Sequence, residues 1–446
     1  MDKLKALPVT ILRKALTYWR KLWVRVVVMG LLSLAVIGLT QFIEPLIPDA
    51  LATYVSGQAA DRLLDIIANA MLAATIFSLT VMVSVFRSSA SQWTPRIHRL
   101  IMQDPTTQNT LSTFIGAYVF ALTAIVLREL NVYGDDQAFV LFCTTVLVLM
   151  LIVFSLIRWT LHLQTFGSLI ASSRQVEEIT RKQFEERLSR PCLGAHPLTD
   201  DIEIPDAACP VRADKTGYIQ MIYQESLNAR AQSHGFDVYL TRAVGSFLVE
   251  GEVIAWIHDT GDAEEELEDE REFDEILRAH LVRDDVRTYD QDPRFGLMVL
   301  GEIASKALSP GINDPGTAID VITRLTRLLM AYHDETEAAE EPSLKRLWVP
   351  PLSPADLIED GFGPLARDGS AIIEVQQRLQ KALSALMNHP DQAMSDAAFG
   401  AAQIQFRRAS EGLKFDHDRD RLRDVTDAQV LDAVEGAQDA PRSATG

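Results

Sequence analysis

Residues 63–86 read LLDIIANAMLAATIFSLTVMVSVF, an apolar run whose one charged residue is Asp65. About 20 consecutive apolar residues form a helix long enough to cross the roughly 30 Å hydrocarbon core of a bilayer. We therefore predict that this stretch is a membrane-spanning helix, and it decides the fold class of the first third of the chain.

Three other runs have a similar character, at residues 23–43, 111–127 and 138–157. The run at 111–127 is the shortest, and Thr113, Tyr118 and Thr123 make it less apolar, so a helix buried in a protein core is its alternative. We predict a membrane α-helical fold class, with four transmembrane helices in residues 1–157. A cytoplasmic α+β domain would follow, mostly helical with a small β-rich unit.

The charge of the chain is unevenly divided. The 446 residues carry 42 Lys or Arg and 61 Asp or Glu; residues 1–157 hold 12 and 9 of these, so residues 158–446 hold 30 and 52. This acidic balance argues against nucleic acid as a partner, because phosphate binding needs clustered Lys and Arg. The three Cys, at positions 143, 192 and 209, form neither a disulfide framework nor a zinc-type spacing.

Basic residues are also unevenly shared among the segments that flank the four runs. Seven Lys or Arg precede or open the first run and three follow the second, whereas the first and third loops have one Arg each beside acidic residues. By the positive-inside rule we predict a bacterial inner-membrane protein with both termini in the cytoplasm. A cleaved signal peptide is the alternative for the N-terminus, but the first run is too long for a signal core.

Four polar side chains mark one side of the second run. Asp65 and Asn69 are one helical turn apart, and Thr80 and Ser84 continue the series toward the cytoplasmic end. Because a charge inside a span is costly and indicates a function by default, we predict these four as pore-lining residues. The alternative places Asp65 at the membrane interface and gives Asn69 one interhelical hydrogen bond.

The segment after this run, RSSASQWTPR at residues 87–96, is short and rich in hydroxyl groups. It is typical of a helix end, followed by a helix with Pro95 in its first turn. The functional alternative places Gln92 and Arg96 at the cytoplasmic mouth, where they would hold an anion or a lipid phosphate.

The remaining sequence divides into four segments. Residues 158–190 have helical spacing of apolar side chains and predict a stalk that continues the fourth span. Residues 191–260 predict a small β-rich domain, because short β runs are separated by turn residues. Residues 261–415 predict a helical domain and residues 416–446 a disordered tail.

Residues 287–327 carry the densest motifs, RTYDQDPRFG at 287–296 and SPGINDPGT at 309–317, each followed by a helical pattern. Asn-Asp-Pro offers a helix cap and a first-turn proline, which predicts a helical hairpin without any ligand. A binding site is the functional alternative, because these loops supply opposite charges and free helix-end amides. Its candidate ligand-binding residues are Arg287, Asp290, Asp292, Ser309, Asn313, Asp314 and Thr317.

Several motifs together have a known counterpart. They are SSASQWTPR at 88–96, Gln108 with Leu111, Phe114 and Gly116, TGYIQ at 216–220, QDPRFG at 291–296 and ALSPGINDP at 307–315. The set resembles a family of predicted bacterial membrane proteins known as domain of unknown function number 2254, which more often has Phe where this chain has Trp93. The resemblance covers most of the chain and implies a multi-span N-terminal part with a cytoplasmic C-terminal domain, but no reaction, ligand or catalytic residue.

Constellations that carry catalysis or bind metals do not stand out. The nine His form no His-x-x-x-His or His-Glu-x-x-His pair, and the Walker, dinucleotide-binding and Gly-x-Ser-x-Gly motifs are missing. Ten acidic residues within 262–275 predict a solvated face; calcium binding is the alternative, but the EF-hand order of ligands is missing. We predict no enzyme activity, no metal site and no cofactor.

Two functions fit these features. The favoured one is a homo-oligomeric, channel-like pore gated by the cytoplasmic domain, because four spans form few walls and several subunits would have to surround an axis. The alternative is a membrane-anchored sensor or scaffold whose cytoplasmic domain binds a small ligand or a protein partner. Membrane lipids are expected partners in both cases.

Overall fold

The computed structural model describes residues 22–43, 57–92, 94–97, 104–130, 138–164, 168–261, 271–336 and 342–439. They form two compact units, an N-terminal unit over residues 11–171 and a C-terminal unit from residue 172 onward.

In the residues that the structure describes, the N-terminal unit has four helices, one for each of the four apolar runs. They are α1 (Leu22–Ile43), α2 (Gly57–Gln92), α3 (Pro105–Glu129) and α4 (Ala138–Leu163). Among the described residues, three stretches are long and apolar enough to cross a membrane: Gln58–Arg87, Pro105–Glu129 and Phe139–Leu163. These confirm the second, third and fourth predicted runs as span candidates, whereas the apolar stretch described for α1, Trp23–Gly38, is shorter.

Helix α3 is the central helix of this unit and packs against the other three. Its Phe114 and Phe120 are fully buried, and half of its most apolar stretch is buried inside the unit. Gly116 lies where α1 crosses, because a Cβ there would stand 3.1 Å from the Cβ of Met29. The central position explains why this run accommodates Thr113 and Tyr118, since much of its surface faces protein.

The outward faces of α2 and α4 are apolar. Ile66, Phe77, Leu147 and Phe154 are each between 59% and 63% exposed. A surface of large exposed apolar side chains is unfavourable in water and favourable against lipid. The packing therefore agrees with the composition in assigning this unit to a membrane.

The C-terminal unit starts with α5 (Leu169–Ser189) and continues with two sheets. Its strands are β1 (Ala195–Pro197), β2 (Cys209–Arg212), β3 (Gly217–Ile222), β4 (Phe236–Leu240), β5 (Phe247–Leu248), β6 (Val253–Asp259), β7 (Leu281–Asp284) and β8 (Leu344–Val349). One sheet has the order β1-β8-β4-β6-β2, and the other has the order β5-β3-β7. Strand β8 runs parallel to both of its neighbours, β1 and β4. The other strand pairs, β2-β6, β4-β6, β3-β5 and β3-β7, are antiparallel.

Nine helices of the C-terminal unit follow β3 in the described residues. They are α6 (Gln224–Ser233), α7 (Arg271–His280), α8 (Pro293–Ala307), α9 (Pro315–Leu329), α10 (Pro354–Asp368), α11 (Ile373–Met387), α12 (Gln392–Gly412), α13 (Asp416–Arg423) and α14 (Ala428–Asp439). Helices α8 and α9 form the predicted helical hairpin, and α10 packs on both.

The predicted boundaries differ from the structure at three places. The β-rich region extends beyond residue 260, because β7 and β8 complete its two sheets. Apolar Leu344, Leu347 and Val349 of β8 are buried within the larger sheet. A short strand so far along the chain from its partners has no local signal of its pairing.

The segment 158–190, predicted as one continuous stalk, is instead divided between the two units. Helix α4 ends at Leu163, and α5 from Ser172 onward belongs to the C-terminal unit. Its Val176 and Phe184 are buried, at 0% and 1% exposure, so the helical spacing identified a helix whose apolar side lies in a core.

The predicted disordered tail instead contains two helices, Asp416–Arg423 and Ala428–Asp439. Leu422, Val430 and Val434 are buried, where α13 packs against α11 and α14 packs against α12. These few apolar side chains stabilise two helices in an otherwise polar stretch. Residues 440–446 lie outside the described residues.

Candidate functional site

The four predicted pore-lining residues, Asp65, Asn69, Thr80 and Ser84, are all exposed on the surface of the N-terminal unit. At 3.6 residues per turn they fall within about 100° of the circumference of α2. Asn69 Nδ2 donates to the backbone oxygen of Asp65 at 2.9 Å, and Thr80 Oγ1 donates to that of Ile76 at 2.9 Å. The four therefore share one side of the helix, but two of them bond to the helix itself.

Two carboxylates near the start of α2 differ in their partners. Asp61 accepts from Arg128 Nε at 2.9 Å and from Nη2 at 3.0 Å, in a bidentate pair that joins α2 to α3. Asp65 lies one turn later and is exposed. Among the described residues, its carboxylate has neither an ion pair nor a hydrogen bond.

A polar cluster joins α1, α3 and α4 at the other end of α3, and no sequence motif predicts it as a unit. Arg25 Nη1 donates to Asn109 Oδ1 at 2.7 Å, and His162 Nε2 lies 3.0 Å from Asp104 Oδ2. Asp104 also caps α3 by accepting from the N–H of Thr107 at 2.7 Å. The sequence feature that could have indicated this cluster is the presence of ionisable residues at the ends of apolar runs. That feature is equally typical of a membrane interface.

The two residues predicted at the cytoplasmic mouth are only partly described. Helix α2 continues to Gln92, so residues 87–92 are helical rather than a loop, but the side chain of Gln92 lies outside the described residues. Arg96 is exposed, in a helical stretch that begins at Pro95. An anion or lipid site formed by this pair stays a prediction.

Arg287 and Asp292 form a bidentate ion pair in the C-terminal unit, with Nε to Oδ2 at 2.6 Å and Nη2 to Oδ1 at 3.0 Å. Asp292 is 2% exposed and caps α8 by accepting from the N–H of Phe295 at 3.0 Å. Burial raises the pKa of Asp292 above its ordinary value, against the opposite effect of Arg287. Arg287 also lies over the Phe295 ring, 5.6 Å from its centroid, so its guanidinium is held in one orientation.

Neighbouring residues of the QDPRFG motif join elements of the unit together. Gln291, with φ of 57°, donates through Nε2 to the backbone oxygen of Ile222 at 3.1 Å and accepts from its N–H at 2.9 Å. Gly296 of α8 faces Thr180 of α5, where any Cβ would collide with the threonine side chain. Most of this motif is therefore explained by packing and capping.

The other predicted ligand residues lie at the far end of α8. This 15-residue helix separates them from Asp292 by about 22 Å. Ser309 Oγ donates to the backbone oxygen of Lys306 at 2.7 Å, and Asn313, with φ of 51°, is exposed. The seven candidates thus form two separate groups, with Asp290 in the turn before Asp292, and no single site contains them all.

Asp314 caps α9 by accepting from the N–H of Thr317 at 3.1 Å and from its hydroxyl at 2.6 Å. The hydrogen bond from the Thr317 hydroxyl is the main reason that the pKa of Asp314 is lowered. We expect Asp314→Ala to cost about 1 kcal/mol of unfolding free energy at neutral pH. Because a lowered pKa stabilises the fold only above the pKa of the unfolded carboxyl, the deficit should shrink below about pH 4.

Urea unfolding of the two proteins at pH 7 and at acidic pH measures this difference. Asp314→Asn is the control, since Asn also caps helices but does not titrate. A deficit of Asp314→Ala that stays constant with pH would contradict the assignment.

A cavity of 290 Å³ lies beside Arg287. Its lining comes from the segment between β4 and β6, from the segment before α8 and from the first turn of α8. The lining residues are Arg242, Val244, Gly245, Ser246, Phe247, Glu252, Arg287 and Arg294. Of the predicted ligand residues, only Arg287 lines this cavity. Arg242 and Arg294 are far apart in the sequence, so no local sequence pattern predicts that they line the same cavity.

Other chemistry-bearing groups do not assemble in the part of the chain that the structure describes. No group of three His, Cys, Asp or Glu side chains there could hold a metal ion. Cys192 is fully buried, and burial raises the pKa of its thiol to about 12, so this thiol is protonated at neutral pH.

The chain is similar to a family of known sequences. A family model described as "Predicted membrane protein (DUF2254)" matches residues 19–385. Uncharacterized proteins of Mycobacterium tuberculosis and of Mycobacterium bovis are each 27% identical to the chain over 330 residues, or 70% of this chain and 60% of the relative. The chain therefore matches less than two thirds of the length of these relatives, and no solved structure matches it.

Proposed function

The chain belongs to the family of predicted membrane proteins DUF2254, and from that premise we propose that it is a homo-oligomeric, channel-like pore of the bacterial inner membrane, gated by its C-terminal unit. The observation that carries the proposal is the contrast between the two carboxylates of α2. Asp61 is paired with Arg128, whereas Asp65, one turn further along the helix, is exposed on the outer surface of the unit.

An exposed carboxylate on an apolar helix needs a polar partner or water. Charged side chains within spans are costly and face a protein interior or a water-filled path. A ring of several copies would turn the α2 faces toward a common axis, where the Asp65 side chains form a ring of negative charge. Such a ring favours cations, so the proposed pore is cation-selective.

Helix directions support four spans. Arg25 of α1 contacts Asn109 of α3, and Ser33 contacts Gly116 further along, so α1 and α3 run in the same direction. The pairs Asp61–Arg128 and Asp104–His162 require α2 and α4 to run the opposite way. This alternation is what four consecutive spans need, and with the distribution of Lys and Arg it supports cytoplasmic termini.

We expect Asp65→Asn to lower cation flux several-fold and to weaken the preference for cations over anions, because the ring of carboxylates attracts cations to the pore. The measurement is potassium and chloride flux into vesicles that contain the purified protein, followed by single-channel recording. Asn69→Leu should lower the flux further, since it places a large apolar side chain beside Asp65.

The matched control is Glu129→Gln. Glu129 is an exposed acid at the C-terminal end of α3, next to Arg128, and so lies on a different helix from Asp65. Unchanged flux in Asp65→Asn, or a strictly monomeric protein by native mass spectrometry in mild detergent, would contradict a pore lined by α2.

A membrane-anchored sensor is the second candidate, and the cavity beside Arg287 is the observation that favours it. In that case the C-terminal unit would bind its ligand and vesicles would stay impermeable under voltage, tension and pH steps. Wild-type conduction separates the two candidates, because only the first requires it.

A further inference from the structure

We infer that the cavity lined by Arg242, Arg287 and Arg294 binds the phosphoryl group of a small anionic ligand. The inference goes beyond the proposed pore, since binding at this cavity does not depend on conduction. Three arginines around one cavity are also exceptional in a segment that holds 30 basic and 52 acidic residues.

The side chains that line the cavity carry a net positive charge. Among the described residues that line it, three are arginines and Glu252 is the one acid. The carboxylates that pair with Arg287 and Arg294, on Asp292, Asp356 and Asp360, are not part of the lining. They hold the guanidinium groups from behind without contributing an acidic surface to the cavity.

Each arginine keeps N–H groups that no described carboxylate accepts. Arg294 donates through Nε to Asp360 and through Nη1 to Asp356, both at 2.7 Å, which leaves Nη2. Arg287 uses Nε and Nη2 for Asp292, while its Nη1 contacts only the Met298 sulfur, at 3.9 Å. A guanidinium has five N–H donors in a planar fork that matches phosphate oxygens, so these groups suit a phosphoryl ligand.

Backbone geometry keeps the cavity open toward Arg287. Gly245 has φ of 88°, and a Cβ there would collide with Asp292 and lie 2.7 Å from Arg287 Nε. Only glycine lets the segment between β4 and β5 pass this close to the ion pair. The Phe247 side chain is 52% exposed at the same cavity and offers an apolar contact for the body of a small ligand.

Glu252 offsets part of the positive charge of the cavity lining. It forms an ion pair with Arg242 Nη2, and Arg242 is 46% exposed. A phosphoryl ligand would compete with Glu252 for Arg242. Removing the Glu252 charge should therefore strengthen binding, and removing the Arg242 charge should weaken it.

The test is isothermal titration calorimetry on the full-length protein in a neutral detergent, at fixed ionic strength. Inorganic pyrophosphate is the soluble probe, and dihexanoyl phosphatidic acid is the lipid-headgroup probe. We expect saturable binding of at least one probe, about tenfold weaker in Arg242→Ala because a charge-assisted hydrogen bond is lost, and tighter in Glu252→Gln. Pyrophosphate binding alone points to a soluble ligand, and phosphatidic acid binding alone points to a lipid.

Arg407→Ala is the matched control, because it also removes one arginine charge. Arg407 is exposed on α12 and is not among the residues that line the cavity. The Arg407→Ala protein should bind each probe with the affinity of the wild type, and melting curves should show that all variants are folded. Failure of both probes to bind folded wild-type protein would overturn the inference. So would equal affinities of Arg242→Ala and Arg407→Ala, whatever the vesicles conduct.

Discussion

Glu335→Ala is expected to lower the unfolding free energy of the C-terminal unit by about 3–5 kcal/mol. The Glu335 carboxylate is fully buried and forms a bidentate pair with Arg187, Nε to Oε1 at 2.5 Å and Nη2 to Oε2 at 2.9 Å. The same oxygens accept from the backbone N–H of Cys192 at 2.9 Å and of Leu352 at 2.7 Å. The substitution leaves a buried guanidinium and two backbone donors without their acceptor, and each bears a desolvation cost.

Urea unfolding of the purified full-length protein, followed through the transition of the C-terminal unit, measures the loss. Glu178→Ala is the control on α5, the helix that carries Arg187, because Glu178 pairs with Arg181 at the surface, where the two side chains are 68% and 51% exposed. That pair should contribute less than about 1 kcal/mol. Similar losses in the two variants would show that Glu335 is not the buried anchor of α5.

A double variant tests the physical reason. Arg187→Met combined with Glu335→Leu removes both charges, so no ion is left buried without a partner. It should recover part of the stability lost in Glu335→Ala. A double variant no more stable than Glu335→Ala would indicate that the backbone N–H groups of Cys192 and Leu352, which lack their acceptor in both variants, carry most of the cost.

Gly301→Ala is the second substitution with a large expected effect, a loss of about 1–3 kcal/mol. A Cβ at position 301 of α8 would stand 2.5 Å from the backbone oxygen of Gly361 and 3.1 Å from that of Asp360. Both oxygens belong to the backbone of α10, so no side-chain rotation relieves the contact. The two helices would have to separate, which opens space around Leu325, whose side chain packs against Gly361.

Gly400→Ala is the matched control and should have the opposite sign. Gly400 lies inside α12, and a Cβ there would meet nothing within 4 Å. Alanine should stabilise this helix by roughly 0.5–1 kcal/mol, because glycine loses more backbone entropy on folding. Thermal unfolding midpoints of the two variants, followed by circular dichroism, should move in opposite directions; a lower midpoint for both would contradict the packing argument.

Helix α5 illustrates how far a local pattern can be interpreted. Its apolar spacing predicts a helix, and Leu169–Ser189 is one. The same pattern is equally compatible with a stalk, because periodicity does not say what an apolar face packs against. Buried Val176 and Phe184, and the contacts of Thr180 with Gly296, place α5 in the core of the C-terminal unit.

In the candidate site, too, the sequence predicted the local features but not how they assemble. Asp292 and Asp314 precede proline, and the predicted caps are present at α8 and α9. These signals are local, since a cap involves residues three positions apart. Whether the two caps belong to one binding site depended on the length of α8, and the cavity depended on Arg242, whose neighbours in sequence give no indication of it.

The order of residues alone determined the apolar helices, the helical hairpin, the early strands of the β-rich region and the caps, because each depends on side chains within a few positions of one another. Tertiary structure alone decided which groups meet over long separations. Arg187 and Glu335 are 148 positions apart, and β8 enters a sheet between β1 and β4. Burial, ion pairing and exposure, including that of Asp65, are set by which surfaces pack together, and that depends on the whole chain.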